Sequence, residues 1–233
     1  MINTKMTTVI RLTFFSIFLM CSSAISSQEK SRDSISVPEP KSFMTNHQIT
    51  NGGKEIRYKA IASETYLKND SDEPVASIWS VAYVQEGVRN YANRPVTFVF
   101  NGGPGSASVW LHMGMFGPKL VKVNSDAKED DGAAPYDLVV NTKGLLDITD
   151  LVFIDPVGTG YSRVIGKGKL EDYWGINEDA NSVAQFIRLW ITKNKRWFSP
   201  KFIAGESFGT NRAVSVANVL EGDGQNMALN GLI

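Results

Sequence analysis

Residues 205–209 form the pattern Gly-x-Ser-x-Gly, with Ser207 at its centre. The apolar stretch before it, 201–204, predicts a short strand, and the stretch after it, 212–220, predicts a helix. Glycines on both sides allow the chain to turn so sharply that the serine hydroxyl stands clear of the backbone, at the N-terminus of the helix. An ordinary strand-to-helix glycine turn is the alternative. The flanking strand and helix favour Ser207 as an exposed nucleophile.

A second glycine-rich loop, Asn-Gly-Gly-Pro-Gly at 101–105, follows the apolar run 96–100, which predicts a buried strand. Acyl transfer through a serine needs two backbone N–H groups directed at the oxyanion, one after the nucleophile and one in a loop after an earlier strand. Phe208 and Gly103 match these two positions. A tight turn without chemistry is the alternative for this loop. Together, loop and turn predict an acyl-transfer site of Ser207, Gly103 and Phe208.

The sequence contains two histidines, His47 and His112, and both precede Ser207. Hydrolases with this kind of nucleophile carry the acid and the histidine base later in the chain. We therefore expect His112 to pack or to lie on a helix surface, with a place in the pocket as the alternative. Asp155 also precedes Ser207 and is expected to shape its own loop, a role in the pocket being second. Without a base, an isolated serine is a poor nucleophile.

Strands alternate with helices and glycine-rich turns from about Thr45 to the end of the chain. The predicted elements are strands at 47–50, 54–62, 76–84, 96–100, 151–154 and 201–204, and helices at 177–191 and 212–220. This order predicts an α/β fold with an N-terminal β-meander and an open, mainly parallel sheet. We expect further strands beyond Ile233, since the sheet would otherwise end in an unpaired edge.

Two smaller patterns concern the helix at 177–191. Asn177 and Asp179 are candidate caps for its N-terminus. Lys193, Lys195 and Arg196 form a basic cluster at its other end, where cations complement the helix dipole. This cluster is expected to be a solvated surface.

The N-terminus predicts export. Lys5 and Arg11 precede the apolar run 12–20, and small residues follow, so residues 1–24 are predicted to be a secretory signal peptide. A membrane-spanning helix needs about 20 apolar residues, which makes a stable anchor the less favoured alternative. Cys21, the single cysteine, lacks the small preceding residues of a lipoprotein, so cleavage near Ala24 is favoured. We expect a secreted or periplasmic protein.

The remaining composition sets further expectations. Residues 25–44, rich in Ser, Lys, Glu and Pro, predict a disordered leader, and residues 45–233 predict one domain without disulfides. Basic and acidic residues are equal at 24 each, which gives no indication of nucleic acid or an anionic membrane as partner. A peptide or small acyl substrate is expected, with no metal and no cofactor, and the oligomeric state is not indicated.

Three motifs together resemble the N-terminal signatures of the serine carboxypeptidase family. They are Asn-Gly-Gly-Pro-Gly-Ser at 101–106, Phe-Ile-Asp-Pro-Val-Gly-Thr-Gly-Tyr-Ser at 153–162 and Gly-Glu-Ser-Phe-Gly at 205–209. Arg-Pro-Val-Thr-Phe at 94–98 and Phe-Gly-Pro at 116–118 are similar to the bacterial branch. The resemblance implies the α/β-hydrolase fold and a serine-type carboxypeptidase that releases C-terminal residues through an acyl-enzyme, with a triad in the chain order Ser, Asp, His.

By the same resemblance, Ser207 is the nucleophile, and Asn101, the backbone of Gly102 and protonated Glu206 recognise the terminal carboxylate of the substrate. One position departs from the pattern. The family's carboxypeptidases have a further glutamate after the glycine loop, whereas residues 110–115 contain no carboxylate. A secreted esterase or acyltransferase of the same fold therefore remains open.

The resemblance covers only the N-terminal portion of such an enzyme, from about Thr45 to Ile233. The α/β-hydrolase domain is therefore expected to be incomplete at its C-terminus. The chain lacks the triad Asp and His and is expected to be inactive alone. A non-catalytic truncated product is the alternative, and an open frame carrying a later Asp and His beyond Ile233 would decide between them.

Overall fold

The computed structural model describes residues 37–123, 134–222 and 226–233. Its strands are β1 (Ser42–Asn51), β2 (Lys54–Lys68), β3 (Pro74–Gln85), β4 (Val96–Phe100), β5 (Lys119–Val121), β6 (Leu138–Val140), β7 (Asp150–Ile154), β8 (Arg163–Val164), β9 (Lys201–Gly205) and β10 (Gly231–Leu232). The helices are α1 (Val109–Leu111), which continues into a π-helical turn (His112–Phe116), α2 (Ile176–Lys193) and α3 (Phe208–Glu221), with 3-10 turns at Tyr91–Asn93 and Leu170–Tyr173. The predicted signal peptide and most of the predicted leader lie outside these ranges. No helix within them is long and apolar enough to cross a membrane.

One mixed sheet organises the chain, in the strand order β1-β2-β3-β7-β4-β9-β10, with β8 paired to β3. The first three strands form an antiparallel meander, and β3 is also antiparallel to β7. From β7 through β4 and β9 to β10 the strands are parallel. The predicted α/β fold with an N-terminal meander is confirmed.

The meander is longer than the sequence pattern predicts. Its first hairpin turns at Gly52 and Gly53, whose φ values of +55° and +78° suit the tight two-residue turn of a β-hairpin. β1 begins at Ser42, which pairs with Ser63 on β2. The predicted boundary at Thr45 is therefore three residues too late, because the long β2 supplies backbone partners for residues assigned to the disordered leader.

The parallel half of the sheet is covered on both faces. Every residue of β4 and β7 is buried, as expected for strands whose two faces both pack against other elements. Side chains of α2 and α3 cover one face and form the larger core cluster. Leu111 of α1 packs on the other face, against Val99 and Phe153. Both layers hold the carboxyl ends of the parallel strands in place.

One prediction about α2 is wrong, and another is only partly right. Gly175 is the N-cap, and no side chain caps this terminus, so neither Asn177 nor Asp179 has the predicted role. At the other end, Lys193 and Lys195 are exposed as predicted, whereas Arg196 is only 2% exposed and does not belong to the solvated basic surface. Asp179 and Arg196 each bond a charged partner that is distant in the chain: Arg212 for Asp179, and Asp150 for Arg196.

Candidate active site

The predicted turn at Ser207 exists and is strained. Ser207 lies between β9 and α3 with φ 58° and ψ −126°, a sparsely populated region that costs about 1–3 kcal/mol for a residue other than glycine. A Cβ on Gly205 would lie 2.1 Å from the carbonyl oxygen of Gly209, and a Cβ on Gly209 would lie 3.0 Å from that of Phe100. Position 205 therefore requires glycine, and a side chain at position 209 would be crowded against β4. Ser207 is exposed at its apex.

The glycine loop packs directly against this turn. Phe100, the last residue of β4, pairs with Gly205, the last residue of β9, so both loops leave the sheet at the same edge. A Cβ on Gly102 would lie 2.4 Å from the amide nitrogen of Phe208. Gly103 has φ +103°, which side chains rarely adopt. The two predicted oxyanion donors, Gly103 and Phe208, therefore lie in adjoining segments.

The backbone N–H of Phe208 has no hydrogen-bond acceptor within α3, because the helix begins at this residue. As the first residue of α3, it has no carbonyl four residues earlier within the helix. The next two amides, of Gly209 and Thr210, donate to the carbonyls of Glu206 and Ser207. A helix N-terminus with an unused N–H can stabilise negative charge, which is what an oxyanion requires.

Asn101 connects the loop to Glu206. Its side-chain Nδ2 donates to Oε2 of Glu206 at 3.1 Å, and its Oδ1 accepts from the amide of Leu111 at 3.0 Å. Asn101 is 1% exposed, whereas Glu206 is exposed next to Ser207. The buried amide of Asn101 therefore orients the accessible carboxyl group of Glu206 beside Ser207.

Residues of the glycine loop and of the turn at Ser207 line a common cleft of about 650 Å³. It is lined by Asn101, Gly103, Ser106, Trp110, Leu111, Gly114, Met115, Glu206 and Ser207. Four of the six predicted site residues thus share one cavity. Gly102 contacts the turn from behind, and Phe208 lines an adjoining cavity of about 450 Å³. Residues 110–115, which contain no carboxylate, contribute Trp110, Leu111, Gly114 and Met115 to the wall of the cleft.

His112 is a packing residue, as expected. Its ring stacks on Phe153, with centroids 4.3 Å apart, and its Nε2 hydrogen-bonds the hydroxyl of Tyr83 at 2.7 Å. Burial lowers the pKa of His112 to about 4. His47 lies on β1, near the opposite end of the strand order from β9, and bonds the hydroxyl of Thr45. Neither histidine is among the residues that line the cleft.

Asp155 shapes its loop, as expected. Its Oδ1 accepts from the amide of Ser108 at 2.9 Å, and its backbone carbonyl accepts from the hydroxyl of Ser162 at 2.6 Å. Burial raises the pKa of Asp155, while hydrogen bonds from the amides of Ser108 and Tyr161 oppose that rise. Asp155 therefore joins the loop after β7 to the start of α1.

Arg212 is the site residue that the sequence analysis missed. Its Nη1 donates to the backbone carbonyl of Asn101 at 2.5 Å, and its Nε donates to Oδ2 of Asp179 at 2.6 Å. The guanidinium lies 5.3 Å from the ring centroid of Phe208 and 5.4 Å from that of Phe100. A signal was present: the buried residues of α3 include Arg212, Val216 and Leu220, at helical spacing. A charged residue in such a stripe requires a buried partner.

Fold and site together define an α/β-hydrolase: a strained serine between a parallel strand and a helix, with a glycine loop against it. A family model described as serine carboxypeptidase matches residues 77–231. The chain belongs to the serine carboxypeptidase family. Among residues that the structure describes, no group of three or more His, Cys, Asp or Glu could hold a metal ion.

Individual relatives agree with this assignment. Serine carboxypeptidase-like 16 of Arabidopsis thaliana is 30% identical over 135 residues, which are 58% of this chain and 29% of that protein. Retinoid-inducible serine carboxypeptidase of Homo sapiens is 25% identical over 170 residues, which are 72% of this chain and 32% of that protein. The chain thus spans about three-tenths of these relatives' length.

A solved structure shares the fold. Kex1(delta)p, a prohormone-processing carboxypeptidase from Saccharomyces cerevisiae, superposes with a TM-score of 0.52 at 20% identity. The match covers 84% of this chain and 39% of that one.

Proposed function

We propose that Ser207 is the nucleophile of a serine-type carboxypeptidase that releases C-terminal residues from peptides. One observation carries this proposal: the hydrogen-bonded pair of Asn101 and Glu206 lies in the same cleft as Ser207. A carboxyl group oriented by a buried amide beside the nucleophile suits recognition of a substrate carboxylate, provided that one proton is shared between the two carboxyl groups. The substrate would then be a peptide with a free C-terminus.

In this proposal, the remaining residues have the roles that the family resemblance implies. Ser207 Oγ attacks the last peptide carbonyl while a general base removes its proton, and the amides of Phe208 and Gly103 stabilise the oxyanion. When the tetrahedral intermediate collapses, the base returns its proton to the peptide nitrogen, the C–N bond breaks, and the C-terminal residue leaves as an amine. Water then hydrolyses the remaining acyl-enzyme. Asn101, the backbone of Gly102 and Glu206 hold the carboxylate of the departing residue.

The test compares the product of the complete reading frame with its Ser207→Ala variant on an N-blocked dipeptide and on the C-terminal amide of that dipeptide. We expect hydrolysis of the free acid in preference to the amide, and no hydrolysis by the variant. Equal rates on acid and amide would remove the assigned role of Asn101 and Glu206. Unchanged activity of the variant would remove Ser207.

We propose that the 233-residue chain alone does not turn over substrate. The hydrogen bonds of His47 and His112 go to Thr45 and Tyr83 and leave Ser207 without either histidine as its base. The test is incubation of the purified chain with a fluorophosphonate probe. No Ser207 adduct is expected, and rapid labelling would refute the proposal.

A second candidate is an esterase or acyltransferase. It is favoured by the cleft wall of Trp110, Leu111 and Met115, which adds apolar surface and no second carboxylate beside Glu206. Indifference between the dipeptide and its amide, together with faster hydrolysis of a blocked ester or transfer to an added alcohol, would support this candidate over the carboxypeptidase.

We also propose export from the cytoplasm, supported by the basic, apolar and small segments of residues 1–24. Expression in a bacterial host, followed by fractionation and N-terminal sequencing, tests it. A mature protein that begins near Ile25 in the periplasm or medium is expected, and an intact N-terminus in the cytoplasm would contradict export.

A further inference from the structure

We propose that Arg212 is a positioning residue that holds the two oxyanion-hole segments, residues 101–103 and 207–208, at a fixed separation. The inference rests on the proposed function for its catalytic consequence. Its structural basis is a set of four contacts. Arg212 contacts Phe100 and Asn101 just before the glycine loop, and it contacts the ring of Phe208. Asp179 on α2 anchors the guanidinium from outside.

On the loop side, Nη1 of Arg212 donates to the carbonyl of Asn101 at 2.5 Å. The guanidinium also lies 5.4 Å from the ring centroid of Phe100, the last residue of β4. Arg212 therefore contacts the two residues immediately before Gly102. The bonded carbonyl belongs to the peptide unit that joins Asn101 to Gly102, so this bond sets where the glycine loop starts.

On the turn side, the guanidinium lies 5.3 Å from the ring centroid of Phe208, whose amide is the other proposed donor. A guanidinium held over an aromatic ring is attracted by the ring quadrupole, and the interaction strengthens when both groups are buried. The guanidinium of Arg212 thus contacts the side chain of Phe208 and the backbone carbonyl of Asn101. One rigid group links both halves of the proposed oxyanion hole.

The guanidinium is itself immobilised. Nε donates to Oδ2 of Asp179 on α2 at 2.6 Å, and the side chains of Arg212 and Asp179 are 2% and 14% exposed. Arginine suits this place because its planar donors have fixed directions. A lysine has one compact ammonium that could not span Asp179 and Asn101 while stacking on a ring.

The experiment measures hydrolysis by the complete enzyme after titration of active serines, so that unfolded protein does not count. Arg212→Met and Arg212→Lys are compared with Arg94→Met, which removes another buried arginine at the opposite edge of the sheet. We expect kcat per titrated serine to fall roughly 100-fold for Arg212→Met, as for a small misplacement of catalytic groups. For Arg212→Lys, kcat should fall less. In both variants kcat should fall by a larger factor than KM rises, because oxyanion contacts act in the transition state, whereas the shift of Asn101 affects substrate binding as well.

Hydrogen exchange of the backbone amides provides a readout that does not need activity. Exchange at 101–106 and 207–210 should accelerate in Arg212→Met and stay unchanged in Arg94→Met. If Arg94→Met lowers kcat per serine as much as Arg212→Met, or if exchange in the two segments is unaffected, the positioning role is overturned. If wild type shows no hydrolysis while exchange changes as expected, the proposed function fails and the structural role of Arg212 stands.

Discussion

The two ends of the parallel strands, called here the amino edge and the carboxyl edge of the sheet, differ in the burial and pairing of their polar groups. At the amino edge, Asp150 is fully buried, and its carboxylate accepts from Arg94 at 2.7 Å, Arg196 at 2.6 Å and the amide of Gln85 at 3.0 Å. At the carboxyl edge, Glu206 is exposed with one amide partner, and Ser207 has a strained backbone. The same strands thus carry a buried, hydrogen-bonded ionic cluster at one end and an open, strained site at the other.

The difference shows where the domain is stabilised and where it can do chemistry. A buried charge cluster tolerates no missing partner, so its residues are fixed by stability. A strained, exposed serine adds nothing to stability and persists only because the surrounding structure holds it. Substitutions at the two edges should therefore separate stability from activity.

The largest expected effect is on activity at the carboxyl edge. In the complete enzyme, Ser207→Ala should reduce hydrolysis by at least about 1,000-fold, because the acyl-enzyme cannot form. Stability should change little. Initial rates and urea unfolding of the same preparations check both parts. Retained turnover would mean that another group attacks the substrate.

The tight turn itself should be intolerant of a single methyl group. Gly205→Ala places a Cβ 2.1 Å from the carbonyl oxygen of Gly209, so we expect a loss of more than about 3 kcal/mol in unfolding free energy. Gly114→Ala is the matched control, because its added Cβ meets nothing within 4 Å. Equal stability of the two variants in urea unfolding would show that the turn is looser than described.

At the amino edge, Asp150→Asn should cost stability without changing chemistry. The change leaves Arg94 and Arg196 without their shared anion, and breaking a buried pair costs about 3–5 kcal/mol. Asp72→Asn, which removes an exposed pair with Lys68, should have almost no effect. Urea unfolding measures the loss of stability. The kcat per titrated serine should stay at the wild-type value. A reduced kcat would show that the ionic cluster at the amino edge also affects the site at the carboxyl edge.

Between the edges, His112 should make stability depend on pH. Burial lowers its pKa from 6.5 to about 4, so the unfolded chain binds the extra proton in that interval and the folded chain does not. This contribution is complete above pH 6.5 and is lost towards pH 4, by about 3 kcal/mol. His112→Gln should lose less stability over this interval in urea unfolding, and an unchanged pH dependence would contradict the prediction.

The smallest expected effect is a change in stability at the strained Ser207. Ser207→Gly should raise the unfolding free energy by about 1 kcal/mol, because glycine adopts φ 58° without the side-chain penalty but loses more chain entropy on folding. Ser207→Ala retains the strain and should not gain stability. Thermal unfolding of both variants checks this, and equal values would place the strain elsewhere.

Much of the site was predictable because its geometry is local. The turn at Ser207 follows from two glycines within five residues, and the loop of Gly102 and Gly103 follows from glycines at the end of an apolar run. The parallel pairing follows from the alternation of strands and helices. The order of the strands in the sheet was not predicted, because it depends on which strands meet in the folded chain. The start of β1 was misplaced because its strand character comes from pairing with β2 and not from its own residues.

The sequence by itself predicted a candidate nucleophile and indicated the glycine turns, the buried strands and the membership of a family, since these depend on residue types at short spacing. Only the tertiary structure decided which charges meet. Asn101 and Glu206 are 105 residues apart in the chain, and Arg212 and Asp179 are 33 apart. The physical reason is that an ionic or polar partner is selected by proximity in the folded chain, and the periodicity of one segment carries no information about what packs against it.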